Sequence, residues 1–308
     1  MKILLALDGS EASSVARDLV ANLTWPAETT VHMLAAYRPP IDYTGGVASA
    51  MVWVGDIEDA IRDQLSETLR GMGAPLVAAG LAVEQSVVRG HAADVILAAA
   101  RDSGADLIVT GSRGRGPVRS MLLGSVANEV ATNAPFPVLV ARTSSVSRLL
   151  VAADGSPNAG KIPELLGAWN AFHDVPADVV SVVPQDPPGF ELMVGLSTLG
   201  DDRLENQRRK EALAADSAAN EMAALMTERS IPATGHVRSG DPANEILRAV
   251  DELHSDLVVT GSRGLGGFER LLLGSVARNV LVHAPCSVLI VRSETAPDVA
   301  RDERREPA

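Results

Sequence analysis

The chain repeats itself once along its length. LLALDGS (Leu4–Ser10) returns as LVAADGS (Leu150–Ser156), and ADLIVTGSRGRG (Ala105–Gly116) returns as SDLVVTGSRGLG (Ser255–Gly266). LLGSVANEV (Leu122–Val130) returns as LLGSVARNV (Leu272–Val280), and APFPVLVAR (Ala134–Arg142) as APCSVLIVR (Ala284–Arg292). Gly111 maps to Gly261 and Gly124 to Gly274 with a shift of 150 residues, whereas Asp8 maps to Asp154 with a shift of 146. Such a period is too long for a solenoid repeat and has the size of a domain. The reading is a first domain over residues 1–143, a second over 147–293, and a charged tail over 294–308 that is expected to be disordered. The join TSSVS (Thr143–Ser147) is short and polar and should keep the two copies close.

Each copy alternates strands with helices. Lys2–Leu7 is an apolar run bounded by DGS, the pattern of a strand buried on both faces. Further strands are expected at Thr30–Ala36, Val83–Val88, Asp106–Thr110 and Pro137–Ala141. Helices are expected up to Leu23 with Ser10 or Asp8 as cap, then over Asp56–Ala79, Ala92–Asp102 and Ser125–Asn133. The second copy places strands near Leu149–Ala153, Asp178–Val183, Ala233–Val237, Asp256–Thr260 and Ser287–Val291. Right-handed βαβ crossovers then give an α/β fold, two tandem open five-stranded parallel sheets with helices on both faces. Aromatics are only 3% of the chain, so Ala, Val, Leu and Ile must build the core.

Ligands of open parallel sheets bind beyond the carboxyl ends of the strands. Asp8 ends the first strand there, and a glycine loop opens at the end of the fourth. The loop reads Gly111-Ser-Arg-Gly114, nine residues, then Gly124-Ser125; its copy reads Gly261-Ser-Arg-Gly264, nine residues, then Gly274-Ser275. Glycines there are expected to take positive φ and bring the backbone close to a ligand. Consecutive N–H groups make an anion nest, and Gly124-Ser125 opens a helix whose N-terminus carries about half a positive charge. No GK[ST] follows, so this is not a Walker A loop, and the first strand lacks GxGxxG.

This constellation resembles the ATP-binding branch of the universal stress protein family, with its G-x2-G-x9-G-[S/T] motif and an Asp ending the first strand. The resemblance covers residues 1–142 and 147–292 and implies a Rossmann-like fold of the adenine nucleotide alpha-hydrolase type. It implies ATP as ligand. Asp8 and Asp154 would meet adenosine and could hold Mg²⁺. Ala6, Leu7 and Ala36, with Ala152, Ala153 and Val182, would flank the base. Thr110, Gly111, Gly114, Gly124, Ser125 and Val126 would wrap ribose and phosphates, as would Thr260, Gly261, Gly264, Gly274, Ser275 and Val276. Arg115, Pro117 and Arg119 face Leu265, Gly267 and Glu269, so the first loop is more basic and unequal affinities are expected. The family's dimers imply either a homodimer or an intramolecular domain pair.

A net charge of −12 argues against nucleic-acid and anionic-membrane partners. No apolar run is long enough to span a bilayer, and the start MKILLALDGS is too short for a signal peptide. The one cysteine, Cys286, fits a reducing compartment and a buried strand position, so a cytoplasmic location is expected. The six histidines form no metal-binding spacing, and no metal site is expected from them. His91 and Asp241, matched after the third strand of each copy, read as helix caps. Glu205–Glu211 reads as a solvated helix face, and Tyr37–Gly55 and Pro184–Asp202 as nucleotide lids, partner contacts or irregular loops. Three functions follow: a nucleotide-binding stress sensor or regulator, a slow ATPase or phosphotransferase in the same sites, or an empty scaffold of the family. The protein partner is open.

Overall fold

The computed structural model describes residues 1–38, 48–114, 123–184, 201–262 and 273–292. The first half runs β1 (Lys2–Ala6), α1 (Glu11–Asn22), β2 (Thr30–Tyr37), α2 (Ala48–Ala78), β3 (Ala82–Arg89), α3 (Ala92–Ser103), β4 (Leu107–Gly111), α4 (Ser125–Asn133) and β5 (Val138–Ala141). The second runs β6 (Leu149–Ala152), α5 (Pro157–Gly160), α6 (Ile162–Trp169), β7 (Ala177–Pro184), α7 (Asp201–Thr227), β8 (Ala233–Gly240), α8 (Pro242–Leu253), β9 (Leu257–Gly261), α9 (Ser275–His283) and β10 (Ser287–Val291).

The strands are those the apolar runs predict, because each central one is buried on both faces. Strands β4, β9 and β10 are buried at every position. Within each half the sheet is parallel, in the order β3-β2-β1-β4-β5 and its copy β8-β7-β6-β9-β10. The two sheets do not stay separate. Strand β5 pairs antiparallel with β10, Leu139 opposite Leu289, and joins both halves into one ten-stranded sheet. The fifth strands are therefore spent on each other within the chain, and β3 and β8 are left as its edges. The internal domain pair is the arrangement found.

One apolar layer, with Leu5, Leu19, Leu139, Leu166 and Leu289, covers one face of the joined sheet; a second, with Leu4, Ile108, Val130, Val258 and Val280, covers the other. Trp25 and Trp169 meet across the halves with ring centroids 6.2 Å apart, and the Trp25 indole N–H donates to the Val20 carbonyl at 2.8 Å. The join is pinned as well. The hydroxyl of Ser287 accepts from the N–H groups of Arg142 and Thr143, and Asp256 accepts from Ser147 N–H.

Three departures from the sequence reading have local causes. Helix α2 begins at Ala48, eight residues into the stretch read as loop, because Ala48–Trp53 carries no breaker. The single helix α1 has no single counterpart: Gly160, Lys161 and Pro163 split its copy into α5 and α6. His91 starts α3 without a side-chain cap bond, whereas Asp241 does cap α8, accepting from Asn244 N–H at 3.0 Å. The expected tail at 294–308 lies outside the described residues, as do 39–47 and 185–200 of the two long stretches. Among the described residues no helix is long and apolar enough to cross a membrane.

Cys286 is buried just before β10. Burial pushes its thiol from 9.0 up to about 11, against the opposing pull of the Arg142 charge. The folded state thus holds the proton more tightly than the unfolded chain. Its contribution to stability is complete below the unfolded value and is lost as pH rises from about 9 through about 11. The loss amounts to roughly 2–3 kcal/mol by the two-unit shift. Urea melts between pH 8 and pH 11 are expected to show this decline in the wild type and a shallower one in Cys286→Ala.

Candidate functional site

The residues singled out by the repeat converge at the carboxyl edge of each half-sheet. Strand β1 lies between β2 and β4, with Ala6 paired to Leu34 on one side and Thr110 on the other. This is the point where strand order reverses, the place where open α/β sheets form a crevice. Strand β2 runs on past the end of β1, so Ala36 lies beyond Leu34, the partner of Ala6, and level with the turn at Asp8. In the second half Ala152 pairs with Val180, and Val182 projects in the same way. Ala152, Val182, Val126 and Val276 are half-buried against the second apolar layer.

The DGS segments form tight turns. Asp8 Oδ1 accepts the N–H of Ser10 at 2.9 Å, and Asp154 Oδ1 accepts that of Ser156 at 2.9 Å. Gly9 and Gly155 take the left-handed conformation between them, at φ of 74° and 71°. Ser10, and not Asp8, then caps α1 by accepting from Ser13 N–H at 3.2 Å. The carboxylate of Asp8 is left beside the loop, since a Cβ on Gly114 would stand 2.7 Å from its Oδ2.

Both glycine loops close on themselves. The Gly124 N–H donates to the Ser112 carbonyl at 2.7 Å, and Gly274 N–H to the Ser262 carbonyl at 2.8 Å. Each loop therefore leaves the sheet and returns to the same residue. The expectation of positive φ fails here, because Gly111, Gly114, Gly124 and Gly274 are not among the left-handed glycines. Gly111 and Gly124 are glycines for lack of room. A Cβ on Gly111 would lie 2.6 Å from the backbone carbon and oxygen of Ala12, and one on Gly124 would lie 3.2 Å from Arg113 Cα. Thr110 and Thr260 are buried, each donating to the neighbouring glycine carbonyl at 3.2 Å.

Helices α4 and α9 start at these closures with Gly124 and Gly274 as caps, and neither has a side-chain cap bond. Ser125 and Ser275, at the first helical position, are exposed. The N–H groups of a first turn have no partner inside the helix, so each closure presents a positive, uncapped helix end. Helices α1 and α8, by contrast, are capped by the side chains of Ser10 and Asp241. Arg115 and Gly264, with the unequal loop residues from Pro117 to Arg119 and Leu265 to Glu269, lie outside the described residues.

His91 stands apart from these sites. One donor atom each of His91, Asp94 and Glu129 lies within 4.8 Å of the others. The second half has Asp241, Asn244 and Asn279 there, so this grouping belongs to the first half alone. Two features were not read from the sequence: the antiparallel register of the β5–β10 joint, and the reach of a pair of arginines that follow those strands. Their signal was present, since Arg142 and Arg292 match across the repeat.

Residues 1–142 and 146–292 each match the model of the universal stress protein family. The universal stress protein YxiE of Bacillus subtilis is 30% identical over 149 residues, which is 47% of this chain and 99% of that protein. Universal stress protein MJ0531 of Methanocaldococcus jannaschii is 30% identical over 145 residues, 47% of this chain and 81% of that one. Among solved structures, a universal stress protein from Archaeoglobus fulgidus DSM 4304 aligns with a TM-score of 0.61 at 20% identity, over 95% of this chain and 98% of that one. At that identity the likeness speaks for the fold, here both halves together.

Proposed function

The chain belongs to the universal stress protein family, and on that footing we propose that each half binds one adenine nucleotide, ATP, and that the protein acts as a stress sensor or regulator. The observation that carries this is the pair of uncapped helix starts at Gly124 and Gly274, each set beside a loop that closes on Ser112 or Ser262. Phosphate oxygens would accept from the N–H groups of Ser125 and Val126, and of Ser275 and Val276, and from the Ser125 and Ser275 hydroxyls. Ribose and phosphate would lie along Thr110, Gly111, Gly114 and Arg115, and along Thr260, Gly261 and Gly264. Adenine would rest on the small side chains Ala6 and Ala36, or Ala152 and Val182.

The nucleotide would carry in a magnesium ion. Asp8 and Asp154 would hold it with one carboxylate each and the phosphates, the sparse protein ligation this ion accepts, and it would neutralise phosphate charge. Binding of this kind favours an occupied, ordered state over an empty one, which is the output a sensor needs.

Thermal melts give the first test. ATP·Mg²⁺ at a hundredfold excess over its dissociation constant is expected to stabilise the folded chain by about 2.7 kcal/mol per site, and adenosine by clearly less. A melting curve unmoved by ATP would remove the reading. A slow ATPase is the second reading, favoured by the Asp8 carboxylate beside Gly114. Phosphate release at saturating ATP, lost in Asp8→Ala while binding persists, would decide for it.

A further inference from the structure

Helices α4 and α9 have two ends, and each far end is held by the other half of the chain. Arg292 ends β10, and its guanidinium donates to the carbonyls of Ala131 and Thr132 at 2.6 and 2.9 Å, in the last turn of α4. Arg142 ends β5, and its guanidinium donates to the Leu281 carbonyl at 2.6 Å, in the last turn of α9, and to the Cys286 carbonyl at 3.2 Å. The carbonyls taken are ones a helix cannot satisfy itself, and a guanidinium there also favours the helix dipole. The exchange is reciprocal across the repeat.

The backbones of these arginines lead back to the loops of their own halves. The Ala141 carbonyl accepts from Ser112 N–H at 3.1 Å, and the Val291 carbonyl accepts from Ser262 N–H at 2.8 Å. The contacts make a closed ring. It runs from the loop at Ser112 through Ala141 and Arg142 to α9, along α9 to Gly274 and Ser262, then through Val291 and Arg292 to α4, and along α4 back to Gly124. Each helix has nine residues and spans about 13 Å as a rigid rod. A shift at its phosphate end must move its arginine end.

We propose that Arg142 and Arg292 are positioning residues for the nucleotide site of the opposite half, and that they couple the two sites. This rests on the nucleotide reading above. Phosphate at Gly124-Ser125 draws α4 and its closure into one arrangement. That arrangement fixes Ser112, Ala141 and Arg142, and so sets α9 ready for the second nucleotide. Coupling is positive, because the first ligand bears the ordering that the second would otherwise need.

The test is crossed. Ser275→Glu leaves only the first site competent, and Ser125→Glu only the second. ATP·Mg²⁺ affinity is then measured by fluorescence titration of full-length protein, with Arg142→Met or Arg292→Met added to each background. The expected result is that Arg292→Met weakens the first site about fivefold or more and Arg142→Met weakens the second as much. The same-half site changes less than twofold, and Arg→Lys recovers part of the loss. Loss confined to the arginine's own half, equal loss at both sites, or no loss would overturn the proposal. If either methionine variant fails to fold, the lysine variant replaces it, and a crossed loss is still required. If neither single-site background binds ATP, the nucleotide reading itself falls and the coupling falls with it.

Discussion

Gly111→Glu is expected to unfold the chain rather than to empty a nucleotide site. The glycine sits at the end of β4, where the first turn of α1 crosses it. A Cβ there would stand 2.6 Å from Ala12 carbon and oxygen and 2.9 Å from Ser13 N. These are backbone atoms of a helix held in place by Ser10 and packed on the first apolar layer through Leu19 and Val20, so they cannot yield as a flexible side chain would. The glutamate adds a charged group at a buried position. We expect a cost of more than about 4 kcal/mol, the range of overpacking combined with a buried charge. Far-UV circular dichroism and urea melts check it. A folded Gly111→Glu protein with near-wild-type stability would show that α1 moves aside, and that the close contact sets nothing.

Ser125→Glu and Ser275→Glu should do the reverse, removing binding while keeping the fold. Both serines are exposed and stand at the first position of an uncapped helix. A carboxylate at a helix N-terminus is favourable by about 0.3–1 kcal/mol, so α4 and α9 gain rather than lose. The same carboxylate takes the N–H groups meant for phosphate and repels it. Losing one charge-assisted hydrogen bond costs about 1.5–3 kcal/mol, which alone is roughly a 10- to 100-fold loss of affinity at that site. Thermal melts without ligand should match or exceed the wild type, and equilibrium dialysis should show one site lost per substitution. Unchanged binding in Ser125→Glu would mean that phosphate, if bound at all, is not held by the start of α4.

The fold was legible because its signals are local and repeated. Runs such as Leu4–Leu7 and Leu107–Thr110, bounded by turn residues, read as buried strands, and their alternation with helices implies parallel half-sheets, whereas the order β3-β2-β1-β4-β5 is seen only in the structure. The joint between halves was not legible. Val138–Ala141 and Ser287–Val291 read as ordinary central strands, and nothing in such a run says that its outer neighbour is its own copy in antiparallel register. The glycines were found for an incomplete reason. Their spacing marks the loop, but the positive φ belongs to Gly9 and Gly155 in the DGS turns, while Gly111 and Gly124 answer to crowding. Arg142 and Arg292 escaped notice because a long basic residue after a strand normally faces water. Only the assembled sheet shows that each reaches the far half. Helix α5, four residues long, shows the opposite limit: Gly160 and Pro163, which split the counterpart of α1, stand in plain view in the sequence.

The two glycine closures are proposed as two nucleotide sites. Calorimetric titration of nucleotide-stripped protein with ATP·Mg²⁺ tests it most directly, run on the wild type, on Ser125→Glu, on Ser275→Glu and on the double variant. Two nucleotides per chain, then one, one and none, are expected, all on folded protein. No heat of binding to folded wild type, or a double variant that binds as the wild type does, would contradict it.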